Sequence, residues 1–169
     1  TTGDPPEVVL FGYEYRRDEN GELLSINRFD GEALQQDPID YTLRTQINPF
    51  CGLYHRQSFV EAGGPDTDPK ALYNEYCAMD CKLARAGLTF DADSEVTVIN
   101  YKRADSMSQA NQTECARSRY FVLEKAARHN GDTHAGVIAQ ELWKNAGTLA
   151  AHRQWDLADK ATGLAVDLG

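Results

Sequence analysis

The chain is poor in positive charge, in long apolar runs and in paired cysteines. Its 169 residues carry 17 Lys and Arg against 26 Asp and Glu, a net charge of -9 and a pI near 4.8. Neutralising a phosphate backbone requires clustered cations, so nucleic acid is not an expected partner. No apolar stretch approaches the roughly 18 residues of a membrane span. The opening Thr1-Thr2-Gly3-Asp4-Pro5-Pro6 has neither the basic start nor the apolar core of a signal peptide. The expectation is therefore a soluble chain, and the lack of a disulfide pattern places it in a reducing cytoplasm. Cys77 and Cys81 stand four apart on one expected helix, a poor geometry for a disulfide, and Cys51 and Cys115 have no framework spacing. None of His55, His129, His134 and His152 pairs with a cysteine at zinc-like spacing. Buried free thiols and no metal-ligating residue are expected.

What is present is enough for one core with an appended subdomain. Val8-Val9-Leu10-Phe11 is a short apolar run that reads as a buried strand, and Asp18-Glu19-Asn20-Gly21 is a turn returning the chain into Leu23 to Arg28. Asp30 to Arg44 is helical in part and interrupted by Pro38. Asn48-Pro49 favours a turn that either presents Cys51-Gly52 close to a ligand or is shaped for packing alone. Gly63-Gly64-Pro65-Asp66 is a break suited to positive φ. From Asn74 the residues Tyr76, Met79, Leu83 and Ala86 recur at helical spacing up to a stop at Gly87, and Glu75 falls in the first turn. A carboxylate there faces the positive end of the helix dipole, whether as an ordinary N-terminal acid or as a group aimed at a ligand. Asp91-Ala92-Asp93 is expected in a solvated loop, with a strand over Glu95 to Tyr101 closed by Lys102-Arg103.

In order, these pieces are Cys51-Gly52, His55-Arg56, Phe59, Gly63-Gly64, Asn74-Glu75-Tyr76, Gly87, Tyr101-Lys102 and Ser106-Met107-Ser108. Together they resemble the second half of family 2 glycosyltransferases of the GT-A fold, over about Glu7 to Ser108. The resemblance implies an α/β fold, a partial GT-A domain over residues 1–112, lacking the N-terminal half that binds the nucleotide-sugar donor. It implies transfer of a sugar, with inversion, to a hydroxyl on a saccharide or lipid-linked acceptor. A divalent cation, manganese or magnesium, would be bound mainly by the missing half. The family's general base is the second residue of a Glu-Asp pair; here Tyr76 stands there, and Glu75 or Asp80, one turn along, is the substitute. Asn48, Cys51, Gly52 and Tyr76 would border the substrate, and Lys102 and Arg103 would steady the diphosphate.

Residues 113–169 lie outside the resemblance. Cys115 to Arg128, Gly136 to Ala151 and Trp155 to Val166 each have helical spacing, with breaks at residues 129–132 and 152–154. The last two resemble a tetratricopeptide-like hairpin, which buries its face only against the preceding domain or a partner. The enzyme reading leaves the 169 residues inactive alone; its alternative is a glycosyltransferase-like binding module without catalysis. Half of an open sheet also leaves an edge and an apolar face, so either the helical tail covers the face or the chain self-associates.

Overall fold

A computed structural model describes residues 5–47, 51–103, 106 and 110–169. The protein is mixed α/β, with a four-stranded sheet followed by a helical tail. Strand β1 (Val8–Arg17) is its centre. On one edge it pairs in parallel along its whole length with β4 (Phe90–Lys102). The opposite edge is shared by two antiparallel strands, β3 (Gly52–Tyr54) on Val8 to Leu10 and β2 (Leu23–Asn27) on Tyr13 to Arg16. The Asp18 to Gly21 turn joins β1 to β2 as the sequence suggests.

Helices α1 (Gly31–Gln36) and α2 (Pro38–Arg44) are separated by Asp37, which ends one and caps the other by accepting from the Asp40 amide, with Pro38 at the first turn. That is the interruption the proline dictates, because Pro is tolerated where the amide has no helical partner. Helix α3 (Arg56–Glu61) runs into the Gly63-Gly64 break, where both glycines have positive φ, 89° and 59°. Lys82 of α4 (Glu75–Arg85) holds this break by donating to the carbonyls of Gly63 (2.9 Å) and Pro65 (3.2 Å).

One core lies between the sheet and its helices: Val8 and Leu10 of β1 pack with Leu34, Ile47, Met79, Leu83 and Phe90. A second fills the tail. Helix α5 (Gln112–Ala151) leaves helical geometry at His134 (φ -126°, ψ 26°), and its two arms then return against each other. Contacts between Thr113 and His152, Ala116 and Asn145, and Arg119 and Glu141 pair early with late residues, the register of an antiparallel hairpin. The reversal falls within a few residues of the break expected at 129–132. Its histidine is fixed by Asp37, 3.2 Å from Nε2, and by Thr133 Oγ1, 2.7 Å from Nδ1. After a turn through Arg153 (φ 57°), α6 (Trp155–Leu168) sets Ala158, Ala161 and Ala165 against Leu142, Ala146 and Leu149. Leu43 of α2 belongs to this same cluster, so the tail docks on the sheet domain.

Two local expectations change. Asp91-Ala92-Asp93 lies in β4, opposite Val9, Leu10 and Phe11, because parallel pairing with β1 continues through it; it is no loop. The buried face of α4 is Cys77, Ala78, Met79, Asp80, Leu83 and Ala84, whereas Tyr76 points outward at 43% exposure. Asp80, one turn further along the same side of the helix, is covered where Tyr76 in the first turn is not. No helix among the described residues is long and apolar enough to cross a membrane.

Candidate functional site

A cleft of about 780 Å³ opens where the sheet meets the tail. One wall is the carboxyl end of the parallel pair, with Tyr13 and Tyr15 from β1 and Lys102 from β4. Carboxyl ends of parallel strands are where open α/β sheets ordinarily bind ligands. Arg44 ends α2 and Gln46 follows it, and Tyr73 and Asn74 precede α4. The remaining wall is α5, through Cys115, Arg119, Glu141, Lys144, Asn145 and Thr148 on its two arms.

Tyr73 carries φ of 77°, a left-handed conformation that a side chain disfavours. Such strain costs roughly 1–3 kcal/mol and collects at functional sites. The surrounding structure holds it in place: Asn74 Nδ2 donates to the Cys115 carbonyl (2.9 Å) and to Ser118 Oγ (2.6 Å) of α5. With its side chain committed there, Asn74 makes no side-chain cap on α4.

The floor is an ionic knot. Arg119 donates to Cys77 Sγ, to the Leu43 carbonyl and to Glu141 Oε2, joining α4, α2 and both arms of α5. Lys144 adds a second bond to Glu141, 2.6 Å long. The Cys77 thiol is pulled down to about 6, first by a hydrogen bond from Cys81 and then, against burial, by the Arg119 charge. The Lys102 ammonium sits 4.1 Å above the Tyr15 ring, a cation–π contact.

The residues expected at a site are dispersed by the fold. Asn48 lies outside the described residues. Cys51 is 1% exposed, and burial pushes its thiol up to about 12. Gly52 serves the packing of Tyr54, whose ring a Cβ would meet at 2.8–2.9 Å. These two therefore build the core, and neither borders the cleft. Asp80 is 1% exposed, and neither of its oxygens has a hydrogen-bond partner among the described residues. Burial first, then the nearby Cys77 charge, raises it well above the usual carboxylate range, with Tyr54 opposing. Enclosed at that depth, Asp80 does not border the cleft. Arg103 reaches Asp18 at 3.9 Å across the exposed end of the hairpin. Lys102 does line the cleft, and Asn74 immediately before Glu75 lines it too. Glu75 begins α4 with Oε2 buried and without a partner among the described residues, and its charge acts on Cys115 in the cleft wall.

Sequence reasoning missed the contribution of α5. The signal was there in polar residues at core positions, because Ser118, Glu141 and Asn145 are all buried in otherwise apolar helical arms. The chain matches no family model, no curated protein and no solved structure.

Proposed function

We propose that this chain is the acceptor-side part of a GT-A-type glycosyltransferase, with residues 1–112 as the partial domain and 113–169 as its helical tail. The observation that carries the reading is the strained Tyr73, with Asn74 lining a cleft at the carboxyl end of β1 and β4 and Glu75 next in the chain. In this reading Glu75 takes the proton of an acceptor hydroxyl while that oxygen bonds to the anomeric carbon of the donor sugar. The bond from that carbon to the nucleotide diphosphate breaks on the opposite side, which inverts the centre. In the same reading Lys102, which lines the cleft, meets the departing phosphate charge.

The divalent cation implied by the resemblance does not fit the described residues: no group of three His, Cys, Asp or Glu among them could hold one. Asp91 of the Asp-x-Asp letters is taken by Gln35 at 2.7 Å and by the Ala92 amide. No step assigned to this chain passes through a metal.

The test is sugar transfer from UDP- and GDP-sugars by the full-length parent, alongside Glu75→Gln. Loss of turnover by about 100-fold or more with nucleotide binding retained is expected, the ordinary scale for a general base. A parent that binds no sugar nucleotide would sink the reading. The exposed phenol of Tyr76 in the family's base position favours the second reading, a non-catalytic binding module on the same scaffold.

A further inference from the structure

We infer that the cleft takes an anionic saccharide, a sugar bearing a carboxylate or a phosphate; this rests on the saccharide-transferring reading and specifies its acceptor. The first observation is charge. The molecule is acidic overall, at -9, yet Arg44, Lys102, Arg119 and Lys144 line this cleft against one lining carboxylate, Glu141, among the described residues. Glu141 is already neutralised from within by Arg119 (3.3 Å) and Lys144 (2.6 Å), and Arg44 is committed to Asp40 (2.7 Å). Among the described residues that leaves Lys102 without a carboxylate partner and Lys144 shared between Glu141 and solvent. An ammonium has three donors. Lys144 spends one on Glu141 with its side chain 67% exposed, and Lys102 rests on the face of Tyr15.

The second observation is an unmatched acceptor. Asn145 is 5% exposed, and its Nδ2 donates to the Ala116 carbonyl at 3.0 Å. Its Oδ1 receives nothing from any described residue. A buried acceptor without a donor costs about 1–3 kcal/mol, and Asn145 stands in the cleft wall, so the ligand that suits it brings an O–H. A bare oxyanion supplies the charge but not the hydroxyl, and a neutral sugar the reverse. The third is shape. Tyr73 lines the cleft beside Asn74, and a volume of about 780 Å³ falls within the range of small-molecule sites.

The experiment is calorimetric titration of the intact chain, without nucleotide, with glucuronate, glucose 6-phosphate, glucose and inorganic phosphate. Binding of glucuronate or glucose 6-phosphate at least tenfold tighter than of glucose and of inorganic phosphate is expected, and which of the two binds identifies the anion. Lys102→Gln with Lys144→Gln should weaken that binding about tenfold while thermal unfolding stays two-state, since both side chains sit at the rim. Equal binding of glucose, equal binding of inorganic phosphate, or no binding of any probe would each overturn the inference. Tight acidic-sugar binding in a parent that transfers nothing would keep the site and remove the glycosyltransferase reading. Transfer to neutral acceptors only would do the opposite.

Discussion

Asp80 shows how a single residue changes meaning between a sequence and its fold. Read along the helix it is an acid one turn from the base position; in the molecule it is sealed among Tyr54, Cys77 and the core. Its folded-state pKa is raised, so the native state holds a proton that the unfolded chain releases above about pH 3.9. Stability is then lost as pH rises from the unfolded value towards the folded one. Asp80→Asn, which carries no charge to bury, should melt close to the parent near pH 4 and increasingly above it as pH rises from there. A melting difference that does not grow with pH would mean that the carboxyl is not protonated in the native state. Tyr73 is the converse case, a residue with no motif at all that only its backbone marks out. Tyr73→Gly should relieve about 1 kcal/mol of strain and raise the midpoint of denaturant unfolding, while removing one ring from the cleft.

The elements were more legible than their ends. The hairpin at Asp18 to Gly21, the proline break before α2 and the Gly63-Gly64 break follow from local chemistry, and local chemistry is what a sequence displays. The pairing of Asp91 to Asp93 with β1 is not local, because it depends on a strand some eighty residues earlier, and two acids in sequence read as solvated. The cleft was illegible for the same reason. Arg119, Glu141 and Asn145 mean little until α5 reverses at His134 and brings its arms together. One tie between elements can be checked directly: Lys125 of α5 meets Asp66 of the glycine break at 2.6 Å, with the Asp66 side chain 5% exposed. Burial raises Asp66, but Lys125 and the Asp68 amide outweigh it and leave its carboxyl below the usual range. A lowered folded-state value gives stability that is present above the unfolded pKa and lost as pH falls through the folded one. Asp66→Asn should therefore cost about 2 kcal/mol at neutral pH, with the deficit shrinking in acid. Chemical denaturation at pH 7 and pH 3 measures both.

At the scale of the whole molecule, the tail docks on α2 and not on the far side of the sheet. Leu23, Leu24 and Ile26 of β2, Leu53 of β3 and Ile99 of β4 are each more than 40% exposed. Exposed apolar edge strands invite pairing with another chain. Sedimentation of the 169 residues should show concentration-dependent association that Leu24→Lys with Leu53→Lys abolishes; a monodisperse monomer at high concentration would refute it. The two edges of β1 also differ in what guards them. On one side β4 accompanies it from Val8 to Arg17, and on the other the short β2 is exposed at Leu23, Leu24, Ser25 and Ile26. Successive amides of a strand face opposite edges. Deuterium should therefore enter β1 on two clocks, early at the amides facing β2 and late at alternate residues facing β4, which wait on opening of the whole sheet.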